Sequence, residues 1–450
     1  MGIIRESSSD LNALIEPAFM NCSCGKVHSA PVKQIAAGSG VLEKIGKMAT
    51  ELGMTRPVVI SDRNTYAAAG DKVCRVLEHA GISYQSCCLD TDCPVPDEYW
   101  VGRVALNFDR RWDGIIAVGS GTINDICKII ADMTKLPYIL AGTAPSMDGY
   151  VSGTSSMVRG GLKVSVPSKC PDGLLLDSSV LANAPMKMLQ AGLGDMAAKY
   201  VSICEWRISN LINGEYYCEE IAGLIRKSLK TCMDSGRKLA ERDQEAASDV
   251  AKGLVMAGMC MSYAGVSRPA SGMEHYFSHI WEMTALARHE SHELHGIQVG
   301  VGTLLSLAVY EEIREIKPDR EKALAYVENF DLEQWKESVR STFGKAGESI
   351  ISLEEKEQKY NKQSHALRLE RIISKWDEIQ EIIRQELPDR EWLTQQLLMI
   401  GAPVTPQEIG ISQEMVKKSF MATKDIRDKY IASRLLWDLG MLEEVAEKIF

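Results

Sequence analysis

Short apolar runs alternate with helix-like stretches over residues 57–150, and this alternation is the strongest constraint on the fold. The apolar runs begin at Pro57, Ile82, Gly114 and Pro137, and helical spacing follows the first and the third of them. Strands that alternate with helices of this length form parallel sheets that helices cover on both faces. The sequence therefore predicts an α/β domain in the N-terminal part of the chain.

The pattern changes near residue 184. Leu, Met, Ile and Ala recur at spacings of three and four over residues 184–325, which is typical of an all-helical domain. Residues of about 326–450 form a charged extension, in which residues 353–384 predict one long surface helix. We therefore predict two domains, residues 1–183 and residues 184–450.

Charge and composition exclude several classes of partner. Lys and Arg number 51 against 61 Asp and Glu, and the net charge of −10 disfavours nucleic acid and anionic membrane surfaces. No apolar run reaches the roughly 18 residues of a membrane span, and the first residues lack the layout of a signal peptide. Twelve cysteines without a secretion signal indicate reduced thiols. We expect a soluble, cytoplasmic protein.

A glycine-containing turn follows the third predicted strand and opens a predicted helix. Gly119 and Gly121 would let the backbone approach a diphosphate, whose charge a helix N-terminus favours. Asn124 replaces the third glycine of the usual dinucleotide fingerprint, so a plain strand-to-helix turn explains the motif equally well. Asp62 ends the first predicted strand, where its carboxylate could accept both ribose hydroxyls or simply cap the next helix.

Residues 143–149 follow the fourth predicted strand, at the sheet edge where open α/β sheets bind ligands. The hydroxyls of Thr143 and Ser146 and the carboxylate of Asp148 suit a ribose, an amide or a polyol. A turn of small polar residues explains the same sequence without a ligand.

One acid and three histidines form the stronger candidate site. Asp195 lies at a predicted helix start, where a helix cap is the alternative. His275 and His279 are four residues apart, so a helix places both on one face. His295 precedes a helix with spaced glycines. One carboxylate with two imidazoles is a ligand set for a catalytic divalent ion with positions left for substrate.

Two other groups of possible ligands are weaker. His289 and His292 lie among charged residues and are predicted to belong to an exposed loop. Cys22, Cys24 and His28 could hold a structural zinc ion, but no second cysteine pair at zinc-ribbon spacing follows them. We therefore favour a hairpin turn there.

Through these motifs and their order, the chain resembles the bacterial sn-glycerol-1-phosphate dehydrogenase family of the iron-containing alcohol dehydrogenase superfamily. The resemblance covers about residues 20–310 and the tail from Gly401. It implies a dehydroquinate synthase-like fold, with an N-terminal Rossmann-like α/β domain, an all-α C-terminal domain and the active site in the interdomain cleft. Ser120 stands where many relatives have glycine, which is tolerable if its side chain points away. Asp195 stands where the synthase branch has glutamate, which argues against a synthase.

The resemblance also implies roles for individual residues. The cofactor, NAD(H) or NADP(H), would contact Asp62, Gly119, Ser120, Gly121, Thr122, Ile123, Thr143, Ala144, Pro145, Ser146 and Ser152. One divalent ion, of zinc, nickel or iron, would be bound by Asp195, His275 and His295. Asp148, Asp195 and His279 would be the catalytic residues in contact with substrate. His279 would relay the proton, since the intrinsic pKa of imidazole lies near neutrality.

The implied reaction is the reversible reduction of dihydroxyacetone phosphate by NAD(P)H to sn-glycerol 1-phosphate, in a homo-oligomer that we expect to be a dimer. Lys163 or Arg159, just past the substrate loop, could hold the substrate phosphate. Three alternatives use the same motifs: a glycerol dehydrogenase acting on an unphosphorylated polyol, a 3-dehydroquinate synthase-like lyase, and a catalytically silent nucleotide-binding regulator. The intact ligand set argues against the regulator.

Overall fold

The structure, a computed structural model, describes residues 22–160 and 162–450. Its strands are β1 (Gln34–Gly38), β2 (Pro57–Asp62), β3 (Gln85–Leu89), β4 (Gly114–Gly119), β5 (Tyr138–Gly142), β6 (Thr154–Arg159), β7 (Leu162–Pro167) and β8 (Gly173–Asp177). A six-stranded sheet has the order β1-β8-β5-β4-β2-β3, and every pairing within it is parallel. Strands β6 and β7 form a separate antiparallel hairpin. The predicted parallel sheet is confirmed.

Helices make up most of the remaining described chain. They are α1 (Ile45–Glu51), α2 (Arg63–Thr65), α3 (Asp71–His79), α4 (Glu98–Leu106), α5 (Gly121–Thr134), α6 (Ser178–Ala182), α7 (Met186–Ala197), α8 (Lys199–Asn213), α9 (Glu219–Ala240), α10 (Gln244–Ala264), α11 (Met273–Arg288), α12 (His295–Glu315), α13 (Arg320–Glu328), α14 (Leu332–Phe343), α15 (Gly347–Glu357), α16 (Lys362–Ser374), α17 (Trp376–Glu386), α18 (Arg390–Met399), α19 (Gln413–Thr423), α20 (Ala432–Asp438) and α21 (Leu442–Ile449). None of these helices is both long enough and apolar enough to span a membrane.

The inner strands are buried along their whole length. Every residue of β2, β4, β5 and β8 is buried. Strands covered on both faces read as continuous apolar runs, which explains why β2, β4 and β5 were predicted. Strand β8 was not predicted. Strand β3 begins at Gln85 rather than at the predicted Ile82, because the amide of Ile82 donates to the carbonyl of Leu77 (3.0 Å) and so still belongs to the end of α3.

The strand order creates a switch point at the carboxyl edge of the sheet. From β2 the chain adds β3 on one side, whereas β4, β5 and β8 extend the sheet on the other side. Ligands of open α/β sheets bind where the strand order reverses in this way. Asp62 ends β2 and Gly119 ends β4, so both predicted cofactor residues flank this point.

The described chain divides into two compact units. The first comprises the residues up to Met196, together with Cys218–Ser267 and Met399–Gly401. The second comprises Ala197–Tyr217, Arg268–Leu398 and Ala402–Phe450. Helices α9 and α10 thus belong to the unit that contains the sheet, and the units alternate along the sequence. The predicted domain boundary after residue 183 stays a prediction.

The prediction of a single long helix over residues 353–384 is wrong. Helices α15, α16 and α17 occupy this region. Gln358 adopts a left-handed conformation with φ of 53° and ends α15. The side chain of Asn361 then accepts a hydrogen bond from the amide of Ser364 and caps α16. Charged residues at helical spacing continue through the break, so periodicity alone hides it. Residues 401–406, which include two prolines, form a loop.

Two glycines allow helices to approach the loop after β5, which we call the β5 loop (residues 143–149). A Cβ atom at Gly192 in α7 would lie 1.9 Å from the carbonyl oxygen of Pro145. A Cβ atom at Gly258 in α10 would lie 2.7 Å from the carbonyl oxygen of Asp148. Both neighbours are backbone atoms, which cannot rotate away as a side chain can. Helices α7 and α10 therefore fix the β5 loop.

We expect Gly192→Ala to lower the melting temperature, because the added methyl group displaces the β5 loop or α7. The expected destabilisation is about 1–3 kcal/mol or more. Gly223→Ala in α9 is the matched control, since no atom lies within 4 Å of its Cβ position. Alanine there should be neutral or stabilising by up to about 1 kcal/mol. Equal melting temperatures of the two variants would contradict the close approach at Gly192.

Candidate functional site

The two predicted cofactor loops lie side by side at the carboxyl edge of the sheet. The amide of Thr143 donates to the carbonyl of Gly119 (3.1 Å), which joins the end of β4 to the start of the β5 loop. The hydroxyl of Ser120 lies 2.6 Å from that of Ser146. Segments separated by about twenty residues thus form one continuous backbone surface next to the switch point.

The turn into α5 has the geometry of an anion site. A Cβ atom at Gly119 would lie 2.5 Å from Cβ of Ile123, so the turn requires glycine at this position. Ser120 is the N-cap of α5, yet its side chain accepts no capping hydrogen bond. Its hydroxyl lies beside that of Ser146 instead. The first amides of α5 therefore fit a diphosphate.

Asn124, which replaces the third glycine of the fingerprint, anchors the loop that follows. It is fully buried, and its Nδ2 donates to the carbonyls of Gly149 (3.2 Å) and Tyr150 (3.4 Å). Its Oδ1 accepts from the hydroxyl of Tyr138 (2.7 Å). A glycine at this position would allow close helix packing, whereas Asn124 instead forms a hydrogen bond to the β5 loop.

Lys128, one turn further along α5, supports the same region and was not predicted. Its Nζ donates to the carbonyl of Gly149 (2.7 Å), the hydroxyl of Ser152 (2.9 Å) and the carbonyl of Thr154 (2.8 Å). Burial lowers the pKa of Lys128, and Asp125 at 3.7 Å opposes that shift. The hydroxyl of Ser152 is therefore engaged within the loop, and its contact with a cofactor stays a prediction.

Asp62 caps the helix that follows β2. Its Oδ1 accepts from the amide of Thr65 (2.7 Å), and its own amide donates to the hydroxyl of Thr65 (2.9 Å). Burial raises the pKa of the Asp62 carboxyl, and the hydrogen bonds from Thr65 lower it. The capping hydrogen bond uses one of the two carboxylate oxygens of Asp62, which lies at the switch point because it ends β2. A ribose contact stays a prediction.

Asp195 lies near the end of α7 rather than at a helix start, so that part of the prediction is wrong. Helix α7 begins at Met186, because the apolar spacing that precedes Asp195 is already helical. The residue is fully buried, and its Oδ2 accepts from the amide of Asp148 (2.9 Å). A role as N-cap of α7 is excluded, and the two predicted substrate acids are neighbours.

The three predicted histidines form a cluster in the second unit. His275 and His279 lie in the first turns of α11, and His295 begins α12. The ring centroids of His275 and His295 are 5.3 Å apart, those of His279 and His295 5.8 Å, and those of His275 and His279 6.3 Å. The i, i+4 prediction is confirmed as geometry.

A buried carboxylate orients His275. Nδ1 of His275 donates to Oε1 of Glu274 (2.8 Å), which also accepts from the amide of Gly272 (2.6 Å). Metal-binding histidines usually donate Nδ1–H to a carboxylate or a carbonyl in this way, which orients Nε2 toward the metal ion. Burial lowers the pKa of His275 well below its usual value, and the charge of Lys199 lowers it further.

A second carboxylate lies beside His295 and His279. Nδ1 of His295 is 3.1 Å from the hydroxyl of Ser278 and 3.3 Å from Oε1 of Glu282. Nδ1 of His279 is 3.8 Å from Oε2 of Glu282, which is buried. Donor atoms of His279, Glu282 and His295 lie within 4.8 Å of one another, so these three residues are themselves a possible ion-binding group.

The supporting residues were missed, although a signal for one of them existed. Glu274 and Ser278 precede His275 and His279 by one residue, and Glu282 follows His279 by three. On a helix, the i, i+3 spacing places Glu282 beside His279, whereas the i, i+1 spacing of Glu274 and Ser278 predicts no contact with the histidine that follows. His289 and His292 are exposed, as predicted, and His289 ends α11 in a left-handed conformation with φ of 56°.

Cations occur in both units. Lys163 lies in the β6–β7 hairpin, and Arg159 is exposed at the end of β6. Burial raises the pKa of Asp125 to about 6, and the charge of Lys163 opposes that shift. In the second unit, Nζ of Lys199 donates to the carbonyl of Ala270 (3.1 Å), and Nζ of Lys429 donates to that of Ser271 (2.8 Å).

Lys199 and Lys429 act electrostatically on His275 and were not predicted. The charges of both lysines lower the pKa of His275, after burial as the main cause. Burial lowers the pKa of Lys429 to about 7. Lys429 lies more than 150 residues from His275 in sequence, so no local pattern could have indicated it.

Known proteins are similar to this chain in sequence and in fold. The profile of the iron-containing alcohol dehydrogenase family matches residues 36–185. Glycerol-1-phosphate dehydrogenase (NAD(P)+) from Halalkalibacterium halodurans is 32% identical over 294 residues, 64% of this chain and 74% of that protein. The protein of the same name from Bacillus licheniformis is 26% identical over 438 residues, 96% of each chain. The crystal structure of glycerol dehydrogenase from Schizosaccharomyces pombe superposes with a TM-score of 0.60 at 16% identity, over 93% of this chain and 90% of that one, and shows the fold.

Proposed function

The chain belongs to the glycerol-1-phosphate dehydrogenase family of the iron-containing alcohol dehydrogenases, and we propose from this premise that it reduces dihydroxyacetone phosphate to sn-glycerol 1-phosphate with NAD(P)H. The fold class agrees, since a parallel-sheet part is followed by a helical part. The main support for this substrate is the similarity, over nearly the whole chain, to a protein named glycerol-1-phosphate dehydrogenase. The reaction is reversible.

The nicotinamide cofactor is assigned to the carboxyl edge of the sheet. The uncapped start of α5 suits the diphosphate, and the β5 loop beside it suits the nicotinamide half. Asp62 at the end of β2 suits the adenosine ribose. The proposed contacts are Asp62, Gly119, Ser120, Gly121, Thr122, Ile123, Thr143, Ala144, Pro145, Ser146 and Ser152.

One divalent ion is assigned to Asp195, His275 and His295. The support within the structure is the way in which Glu274 holds Nδ1 of His275, and Ser278 with Glu282 lies against Nδ1 of His295. Partners of this kind at Nδ1 orient a histidine that coordinates a metal ion through Nε2. Imidazole and carboxylate donors suit zinc, nickel and iron alike. Because three protein ligands leave coordination positions for substrate, the donor set fits a catalytic ion.

Asp148, Asp195 and His279 position the substrate and transfer the proton. When bound, the ion polarises the substrate carbonyl at C2 and the nicotinamide supplies the hydride. Asp148 and Asp195 orient the substrate hydroxyl groups. His279 gives a proton to the C2 oxygen during reduction and removes it during oxidation, with the Glu282 carboxylate beside its Nδ1 stabilising the charged ring.

The alternatives have less support. Likeness to a glycerol dehydrogenase structure at 16% identity speaks for the fold and not for an unphosphorylated substrate. Asp195 in place of glutamate disfavours a synthase-like lyase. We further propose that the protein is a homo-oligomer, a dimer. We also propose a cytoplasmic location, with which the twelve cysteines agree, since all of them lie in the described residues and form no disulfide.

Metal content should separate the ligands from their neighbours. We expect His275→Ala to lose one equivalent of bound metal, because it removes a ligand that the buried Glu274 holds in place. His292→Ala, on the exposed loop, and His279→Ala should keep wild-type content. His279→Ala should nevertheless lower kcat about a hundredfold, the usual scale for a lost proton-transfer group. Loss of the ion in His279→Ala and its retention in Asp195→Asn would instead place it at His279, Glu282 and His295.

Cofactor preference should depend on the charge of Asp62. We expect Asp62→Asn to raise the NADPH-to-NADH ratio of kcat/KM by about tenfold, a free-energy difference of about 1.4 kcal/mol, because asparagine no longer repels the 2′-phosphate of NADPH. Asparagine keeps the helix cap, so this variant removes charge alone. Asp62→Gly removes both and controls for the cap. An unchanged ratio in both variants would show that Asp62 does not meet the ribose.

Substrate choice should depend on a cation that holds the phosphate. We expect faster reduction of dihydroxyacetone phosphate than of dihydroxyacetone, with the sn-1 isomer as product on chiral analysis. Either Lys163→Ala or Arg159→Ala should raise KM for the phosphorylated substrate while barely changing the rate with dihydroxyacetone. Lys135→Ala, an exposed lysine beyond α5, is the control. An sn-3 product, or faster reaction of dihydroxyacetone, would overturn the proposal.

A further inference from the structure

Three thiols and one imidazole meet in the first unit, far from the histidine cluster in sequence. Sγ of Cys22 lies 3.4 Å from Sγ of Cys218, and Sγ of Cys24 lies 3.2 Å from Nε2 of His28. Nε2 of His28 is 3.8 Å from Sγ of Cys218. One donor atom from each of these residues lies within 4.8 Å of the other three.

These spacings match a tetrahedral metal site. Two ligand atoms at ordinary zinc–sulfur and zinc–nitrogen lengths are separated by about 3.5–3.8 Å. The three measured separations, 3.2–3.8 Å, lie within a few tenths of an ångström of that range. Cys218 and His28 are buried, and Cys22 and Cys24 are half-buried, so the donors converge on an enclosed point.

The local chain is shaped to direct these donors inward. The amide of Gly25 donates to the carbonyl of Cys22 (2.9 Å) and closes a turn, and Gly25 has a φ of +78° that other residues rarely adopt. Nδ1 of His28 donates to the carbonyl of Tyr263 (3.0 Å), which fixes the tautomer and presents Nε2 to the sulfur atoms. Cys218 is the N-cap of α9 and is buried.

A simple thiol cluster or a disulfide explains less. A disulfide between Cys22 and Cys218 would use two of the four groups, and the sulfur atoms stand well beyond the bonding distance of about 2.05 Å. It would give no reason for the ordered imidazole or for Cys24. Three sulfur donors with one nitrogen are, by contrast, a common structural zinc set, which leaves no position for substrate.

We propose that Cys22, Cys24, His28 and Cys218 bind one zinc ion as a structural site, independent of the catalytic ion. Binding deprotonates the three thiols and releases their protons to solvent, while His28 coordinates as neutral imidazole. The ion ties the segment that precedes β1 to the start of α9, and the Tyr263 contact ties it to the end of α10.

The sequence analysis favoured a hairpin turn because no second cysteine pair follows at zinc-ribbon spacing. The turn is present, but the third thiol comes from a position 196 residues beyond Cys22. Ligand spacing rules describe sites whose donors lie close in sequence. They cannot detect a site that the tertiary fold completes.

Metal counting on the purified full chain tests the proposal. After dialysis against a chelator that strips loosely bound metal, we expect Cys24→Ser and Cys218→Ser each to hold one zinc equivalent fewer than wild type. Cys93→Ser, an exposed thiol outside the cluster, should match wild type. His275→Ala reports on the catalytic ion separately, so a failure of the proposed catalytic site leaves this result readable.

Cobalt substitution keeps the test valid if a cysteine variant fails to fold. Wild type and His275→Ala, refolded with Co²⁺, should both show the intense near-ultraviolet thiolate-to-cobalt charge-transfer band and visible bands of a tetrahedral site. A mercurial reagent that titrates thiols should release zinc from the wild-type protein in step with three thiol groups.

Three results would overturn the proposal. The first is zinc content in Cys24→Ser and Cys218→Ser equal to that of wild type. The second is the absence of a thiolate-to-cobalt band in wild type. The third is a purified protein without zinc in which mass spectrometry finds Cys22 and Cys218 joined as a disulfide, which would make the cluster a redox pair instead.

Discussion

The close contact between α7 and the β5 loop is the constraint on which the proposed cofactor site depends. Gly192 leaves room for the carbonyl of Pro145, and Gly258 on α10 leaves room for that of Asp148. Because the backbone is held from two sides, Ser146 stays beside Ser120 and the amide of Asp148 stays beside Asp195. Two helices thus fix the positions of side chains in a site that is built on a loop.

Buried charge is the second organising feature. Glu205 accepts hydrogen bonds from the amides of Met273 (2.9 Å) and Ala432 (2.8 Å), and so holds the start of α11 against the C-terminal helices. Burial raises the pKa values of Glu205 and Glu274, and the charge of Glu205 raises that of Glu274 further. Burying a carboxyl group costs free energy unless the group forms hydrogen bonds. Glu274 forms one with Nδ1 of His275 and so positions that ring.

Sequence predicted those features that depend on neighbouring residues. Continuous apolar runs marked β2, β4 and β5, because burial on both faces demands them, whereas the inner strand β8 was missed. The glycine turn at Gly119 and the i, i+4 pair of His275 and His279 follow from local geometry. Asp195 was recognised, but its place near the end of α7 was not, since helical spacing runs past it on both sides. Partners such as Cys218 lie too far along the chain for any local rule.

The two proposed ion sites differ in donor chemistry, and this difference assigns their roles. Sulfur donors bind zinc tightly and fill all four positions of a tetrahedron, so an ion held by Cys22, Cys24, His28 and Cys218 would be closed to substrate. One carboxylate and two imidazoles hold an ion less completely and leave positions through which a carbonyl oxygen can approach. A single chain can therefore use one ion to fasten its N-terminal segment and another for chemistry, without either donor set serving the other purpose.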